Sequence, residues 1–211
     1  MRGARALTLQ EVKEVAQSFY GGYAVRNRVL FMVGVNIGAR ISELIGLNVG
    51  DVYREGRVVE LVTLRKAITK GRVERQIVLN AQVQGEILEF IAWKLSRDEA
   101  LSQHAPLFVS RKGGRLTRVQ AHRILKEVFG ELSLEGKVTT HSLRKTTATA
   151  LDRAGVRLRV IQEWLGHANL TTTQRYLEIS QAELREAARS LNFSTHQSAE
   201  QEKSGLRRNR M

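Results

Sequence analysis

The run VLFMVGVNI, residues 29–37, sets the tightest limit on what this chain can fold into. A stretch that is apolar on nearly every side must be covered on every side, so it reads as a buried core helix over about 25–37. It is too short to cross a bilayer, which takes roughly 18 apolar residues or more. Gly38 ends the helix and ARISEL, residues 39–44, begins another short one. Arg40 therefore falls at a helix junction directly behind a buried element, where its side chain can be fixed; a solvated surface arginine is the plainer alternative.

The flanking segments read as amphipathic helices with a small sheet. Thr8 and Glu11 form a capping box, Leu7 and Val12 a hydrophobic staple, and the helix they open runs to about Tyr20 before Gly21-Gly22. From Asp51 the pattern shifts toward period two. A short strand near Val52, then VVELVTL, the turn ITKGR and VERQIVL, read as an antiparallel hairpin with one strand in front of it. Its tip carries Lys66, Lys70, Arg72 and Arg75, with Lys66 inside the strand and Lys70 beside the turn glycine. Such a hairpin can reach into a DNA groove, although a solvated edge is the commoner meaning of lysines there. A helix over 81–95 carries Val83, Ile87, Leu88, Ile91 and Leu95 on its apolar face. Thr117 and Gln120 open another to about Leu132, with Val119, Ile124, Leu125 and Val128. Between them, PLFVSRKGGRLT sets Lys112 and Arg115 around a Gly-Gly turn. The fold class is mainly α, of the α+β kind: a single compact helical domain with a small three-stranded antiparallel sheet.

The charge balance narrows the partners. Lys and Arg number 34 against 21 Asp and Glu, a formal net charge of +13 and a pI near 10.7. Such an excess is the footprint of a nucleic-acid binder, since neutralising phosphates releases counterions. The absence of cysteine excludes disulfides, thiolate zinc sites and a cysteine nucleophile. The start MRGARALTLQ lacks the apolar core of a signal peptide, and the chain reads as cytoplasmic, with no membrane segment.

Residues 139–177 concentrate the chemistry. His141 and Arg144 lie in the first turn of a helix that extends to Ala154 and closes at Gly155; being three apart they share a face. A second helix, 158–165, ends at Gly166 and leaves His167 just beyond it. Thr171 and Gln174 signal a further helix with Tyr176 in its second turn. Singly, His141 reads as a cap, Arg144 as a general anion partner, His167 as a helix-end residue and Tyr176 as core. Together, two imidazoles, a guanidinium and a phenol suggest chemistry on a phosphate, with the phenol oxygen attacking. An amphipathic segment, 181–191, and a polar basic tail, 192–211, follow.

GARISELIGL, HSLRKTTATAL and LGHANLTTTQRY, in that order and with the basic hairpin between the first two, resemble the tyrosine site-specific recombinases of the phage-integrase family, from about residue 7 to 191. The resemblance implies a site-specific recombinase or integrase, with Tyr176 as nucleophile, Arg40 and Arg144 as phosphate clamp, His141 and His167 as imidazole partners, and Glu43 in support. It makes Lys70 the hairpin general acid, with Lys66 the lesser candidate, and makes Lys66, Arg72, Arg75, Lys112, Arg115 and Lys145 weaker DNA contacts. Lys145 stands where many members have His. Implied with these are a catalytic domain over 1–191, a metal-free and cofactor-free reaction on double-stranded DNA, and a homo-oligomer, dimer or tetramer, on that DNA. The segment 181–191 would dock on a neighbouring protomer or pack back on its own subunit. Most members carry a helical DNA-clasping domain in front of the catalytic one. Here the first helix begins within a few residues of Met1, so the expectation is either a catalytic fragment or a short single-domain member resembling the fimbrial-switch invertases. DNA affinity would then lean on the +13 charge and fall steeply with salt. A type IB topoisomerase-like nicking-resealing enzyme and a non-catalytic DNA-binding relative are the alternatives.

Overall fold

Val29 to Val35, with Ile37, are buried along α2 (Ala24–Ile37), as its composition demands, and the other helices are arranged around it. The computed structural model describes residues 3–69 and 74–166. Around α2 pack α1 (Leu9–Gln17), α3 (Ile41–Gly46), α5 (Ala81–Leu95) and α7 (Thr140–Arg153), while α6 (Arg118–Glu131) packs on α3 and α7, and α8 (Leu158–Leu165) on α7. Phe90 stacks on Phe108 with ring centroids 5.6 Å apart, and Phe31 meets Phe129 edge-on at 6.5 Å, so aromatic pairs mark the two halves of the core.

The capping boxes expected at Thr8 and Thr117 are both present. The first helix, however, stops at Gln17, three residues short of Tyr20, where the Ser18 hydroxyl donates back to Glu14 O at 2.7 Å. Helices 81–95 and 158–165 have the expected bounds, but the buried face of α5 is rotated. Leu88 and Leu95 are exposed, and Phe90 and Lys94 continue the row begun by Val83 and Ile87. The Lys94 amine, fully buried, is compensated by Glu99 at 2.6 Å. Val119 is likewise exposed on α6, where Ala121 and Phe129 face inward with Leu125 and Val128.

Among the described residues the β structure is two two-stranded hairpins rather than one three-stranded sheet. Val52 closes a four-residue helix, α4 (Val49–Val52), because the Asp51 carboxylate accepts the Asn48 N–H at 2.8 Å and starts a turn there. Strands β1 (Tyr53–Arg54) and β2 (Arg57–Val58) join through Glu55 and Gly56, with φ of 49° and 78°, the two positive values that a type I′ turn requires. The chain then bends at Val59 and Glu60, so β2 does not run on into β3 (Leu61–Leu64). Strand β3 pairs antiparallel with β4 (Arg75–Val78), Leu64 opposite Arg75.

One electrostatic clasp ties the first helix to the body. The Arg5 guanidinium donates to both oxygens of Glu11, which also accepts the Thr8 N–H, and Arg5 Nε reaches Glu135 O. The hydrogen bond from Arg5, with the Thr8 contribution, outweighs burial and holds the Glu11 carboxyl down at about 2. A carboxyl lowered on folding stabilises the fold above its unfolded value and loses that contribution as pH falls through the folded one. Acidification from pH 4.5 toward 2 should therefore lower the urea midpoint of the wild type more than that of Glu11→Gln; equal slopes would refute the clasp.

No helix among the described residues is long and apolar enough to cross a membrane.

Candidate active site

Arg40 is the N-cap of α3, an unusual residue for that place because a guanidinium cannot accept the free N–H groups of a first helical turn. Only the return half of the capping box operates: the Glu43 carboxylate accepts the Arg40 backbone N–H at 2.8 Å and its Nη1 at 2.9 Å. Glu43 has 0% exposure and is shared. On its other side the Arg75 fork donates Nη2 to Oε2 at 2.6 Å and Nη1 to Oε1 at 3.3 Å. Burial pushes the Glu43 carboxyl upward, but the hydrogen bonds and charge of Arg75, together with Arg40, outweigh it and leave the carboxyl below its ordinary value.

Arg144 reaches the same junction from α7. Its side chain is 2% exposed; Nη1 donates to Gly38 O at 2.7 Å and Nη2 to Leu165 O. The C-terminal turn of α2 is satisfied almost wholly by α7 and α8: Val35 O accepts Thr147 Oγ1 at 2.7 Å, and Ile37 O accepts Trp164 Nε1 at 3.1 Å. Gly38 permits this closeness. Its φ is +62°, and a Cβ there would lie 2.7 Å from Leu165 Cδ2. Two residues beyond Gly38 comes Arg40, so the carbonyl that Arg144 holds and the N-cap that Arg40 forms are neighbours at one helix end, although 104 positions (144 minus 40) separate the two arginines in sequence. Planar guanidinium forks are the side chains suited to the paired non-bridging oxygens of a phosphodiester.

The other expected residues divide. Thr139 caps α7 by accepting the His141 N–H at 3.2 Å, which sets His141 in the first turn; its side chain is exposed whereas that of Arg144 is buried. Lys145 is half-buried beside them. Lys66 is exposed in the turn after β3, outside the strand that the sequence pattern gave it, because the ladder ends at Leu64. Lys112 is exposed in the Gly-Gly turn, while Arg115 bends its guanidinium onto Ile45 O and Leu47 O at 2.7 and 2.8 Å, closing the end of α3. Arg75 is the clear correction: expected at the hairpin tip as a DNA contact, it is 8% exposed and engaged with Glu43. Its position has a sequence signal, since Arg75, Ile77 and Leu79 alternate onto one face and the latter two are buried. Lys70, Arg72, His167, Tyr176 and the segments 181–191 and 192–211 lie outside the described residues.

Comparison with known proteins bears on the family of the chain. The profile of the phage integrase family matches residues 5–183. Among curated relatives, the tyrosine recombinase XerC of Caldanaerobacter subterraneus subsp. tengcongensis is 32% identical over 183 residues, 86% of this chain and 49% of that protein. The chain thus spans about half the length of that relative. Among solved structures, the XerA recombinase superposes with a TM-score of 0.72 at 26% identity, covering 88% of this chain and 64% of that one. The XerH site-specific recombinase bound to a palindromic difH substrate in a post-cleavage complex gives 0.71 at 26%, covering 87% and 51%.

Proposed function

The chain belongs to the phage integrase family, and on that premise we propose that it breaks and rejoins DNA strands by metal-free transesterification through a 3′-phosphotyrosyl intermediate. The observation that carries the reading is the anchoring of Arg144 on the end of α2, two residues before Arg40, and on Leu165 O, two residues before His167. In the proposed reaction the two forks grip the non-bridging oxygens of the scissile phosphodiester. Donors fixed toward developing charge are worth a few kcal/mol each. The Tyr176 hydroxyl gives its proton to an imidazole, His141 or His167, as its oxygen attacks phosphorus, the bond from phosphorus to the 5′ oxygen breaks, and that oxygen takes a proton from Lys70. A phenol has a pKa of about 10, so the nucleophile depends on the cations and on His141 and His167 for its activation. A 5′-hydroxyl from a second strand then attacks the phosphotyrosyl link and releases Tyr176; no ATP is consumed, because each bond broken is replaced by an equivalent one.

Relatives named as recombinases favour strand exchange over nicking and resealing of one strand. The XerH neighbour, bound to a palindromic difH substrate, together with the +13 charge, supports double-stranded DNA as partner. We further place the catalytic domain over residues 1–191 with a basic tail behind it. Self-association on DNA through residues 181–191 is read by sedimentation of DNA complexes with and without that segment. Incubation with nicked duplexes followed by a denaturing gel tests the main reading: a protein–DNA adduct is expected, and its absence overturns the proposal. On a duplex with sulfur in place of the bridging 5′ oxygen, which leaves without a proton, Lys70→Ala should recover cleavage and Lys66→Ala should need no recovery. Rescue of the Lys66 variant alone would reverse the assignment.

A further inference from the structure

Arg75 starts the strand that leaves the basic hairpin, yet its side chain turns inward and touches two other parts of the site. One end of the fork holds Glu43. The other side lies against Gly166, where a Cβ would come within 2.9 Å of Arg75 Nη1 and 3.0 Å of its Cδ. Gly166 has φ +62° and is the last residue before His167. The hairpin, the Arg40 junction and the turn into the second imidazole are thus joined through one guanidinium.

Resting on the recombinase reading above, we propose that Arg75 is a positioning residue for strand cleavage: by sharing Glu43 it loosens the hold of that carboxylate on the Arg40 fork, and by packing against Gly166 it fixes the backbone that leads to residue 167. The electrostatic reason is a count of charges. Arg40, Arg75 and Glu43 together carry one net positive charge. Without Arg75 the buried Glu43 has Arg40 as its remaining described partner, the pair is neutral, and the carboxylate competes with the substrate for the clamp. Stability alone explains the arrangement poorly. Buried ion pairs are often matched or bettered by apolar side chains of the same volume, and the buried Nε of Arg75 has no hydrogen-bond partner among the described residues.

The test uses the full chain on nicked duplex, measuring DNA affinity, thermal midpoint and the single-turnover rate of adduct formation. Arg75→Met should bind DNA within about threefold of wild type yet form adduct roughly 10²-fold more slowly, the scale of a misplaced catalytic group. Glu43→Gln should slow the same step, and the double variant should be no slower than the worse single one, because both act on one path. If Arg75→Met does not fold, Arg75→Lys serves: it keeps the charge, loses the fork and the packing under Gly166, and should lose about tenfold in rate with its affinity intact. An unchanged rate, additive losses in the double variant, or a loss confined to DNA affinity would overturn the proposal. No adduct from the wild type would instead overturn the recombinase reading on which it rests.

Discussion

Replacing Tyr176 by Phe is expected to abolish the covalent protein–DNA adduct while leaving DNA binding intact. The substitution removes a single oxygen, the atom that the proposed reaction joins to phosphorus, and keeps the aromatic ring. Attack by water in its place would give a product that is not a protein adduct. The loss should therefore exceed roughly 10⁴-fold, equivalent to about 5.5 kcal/mol of barrier. Denaturing gels on nicked duplex measure the adduct, and a binding titration on the same duplex supplies the control. An adduct that survives Tyr176→Phe would move the nucleophile elsewhere in the chain.

Arg144 should give the second large effect, and on two scales. Its buried fork holds Gly38 O and Leu165 O. Arg144→Ala strips both carbonyls of a charged donor inside the protein, and unfolding in urea should show a loss of about 2–4 kcal/mol. The same change removes half of the proposed phosphate clamp, which should slow adduct formation by roughly 10²–10³-fold. Arg144→Lys separates the two effects, because an ammonium can still meet one carbonyl but cannot reproduce the planar fork. It should recover part of the stability and little of the rate. Wild-type stability and rate in Arg144→Lys together would show that the fork geometry is unimportant.

Much of this was legible before any coordinates, for identifiable reasons. Apolar runs and caps are local signals, so the core helix, Thr8, Thr117 and the bounds of α5 and α8 could be read directly. Arg40 could be placed at a junction because Gly38 ends a helix that has to be buried. Errors arose where long-range packing decides. Leu88 and Leu95 fit a helical face as well as Phe90 and Lys94 do, and only the stacking of Phe90 on Phe108 selects the second set. The charge of Arg75 suggests a solvated tip; its phase with Ile77 and Leu79 points inward, but a buried arginine is credible only once its carboxylate, 32 positions earlier, is known. The two small hairpins were merged for a related reason, since a bend at Val59 and Glu60 leaves the residue types of a strand unchanged.

The seat of Arg144 has a consequence for how the site responds to its surroundings. Gly38 O and Leu165 O stand at the C-terminal ends of α2 and α8, and each such end carries roughly half a negative charge from its aligned peptide dipoles. Two of them balance about one guanidinium. That counter-charge belongs to peptide groups, which neither titrate nor change rotamer, so acidification cannot discharge it and an arriving anion cannot displace it. Arg40 leans on a carboxylate that can do both. One arm of the proposed clamp thus has a permanent electrostatic footing and the other an adjustable one.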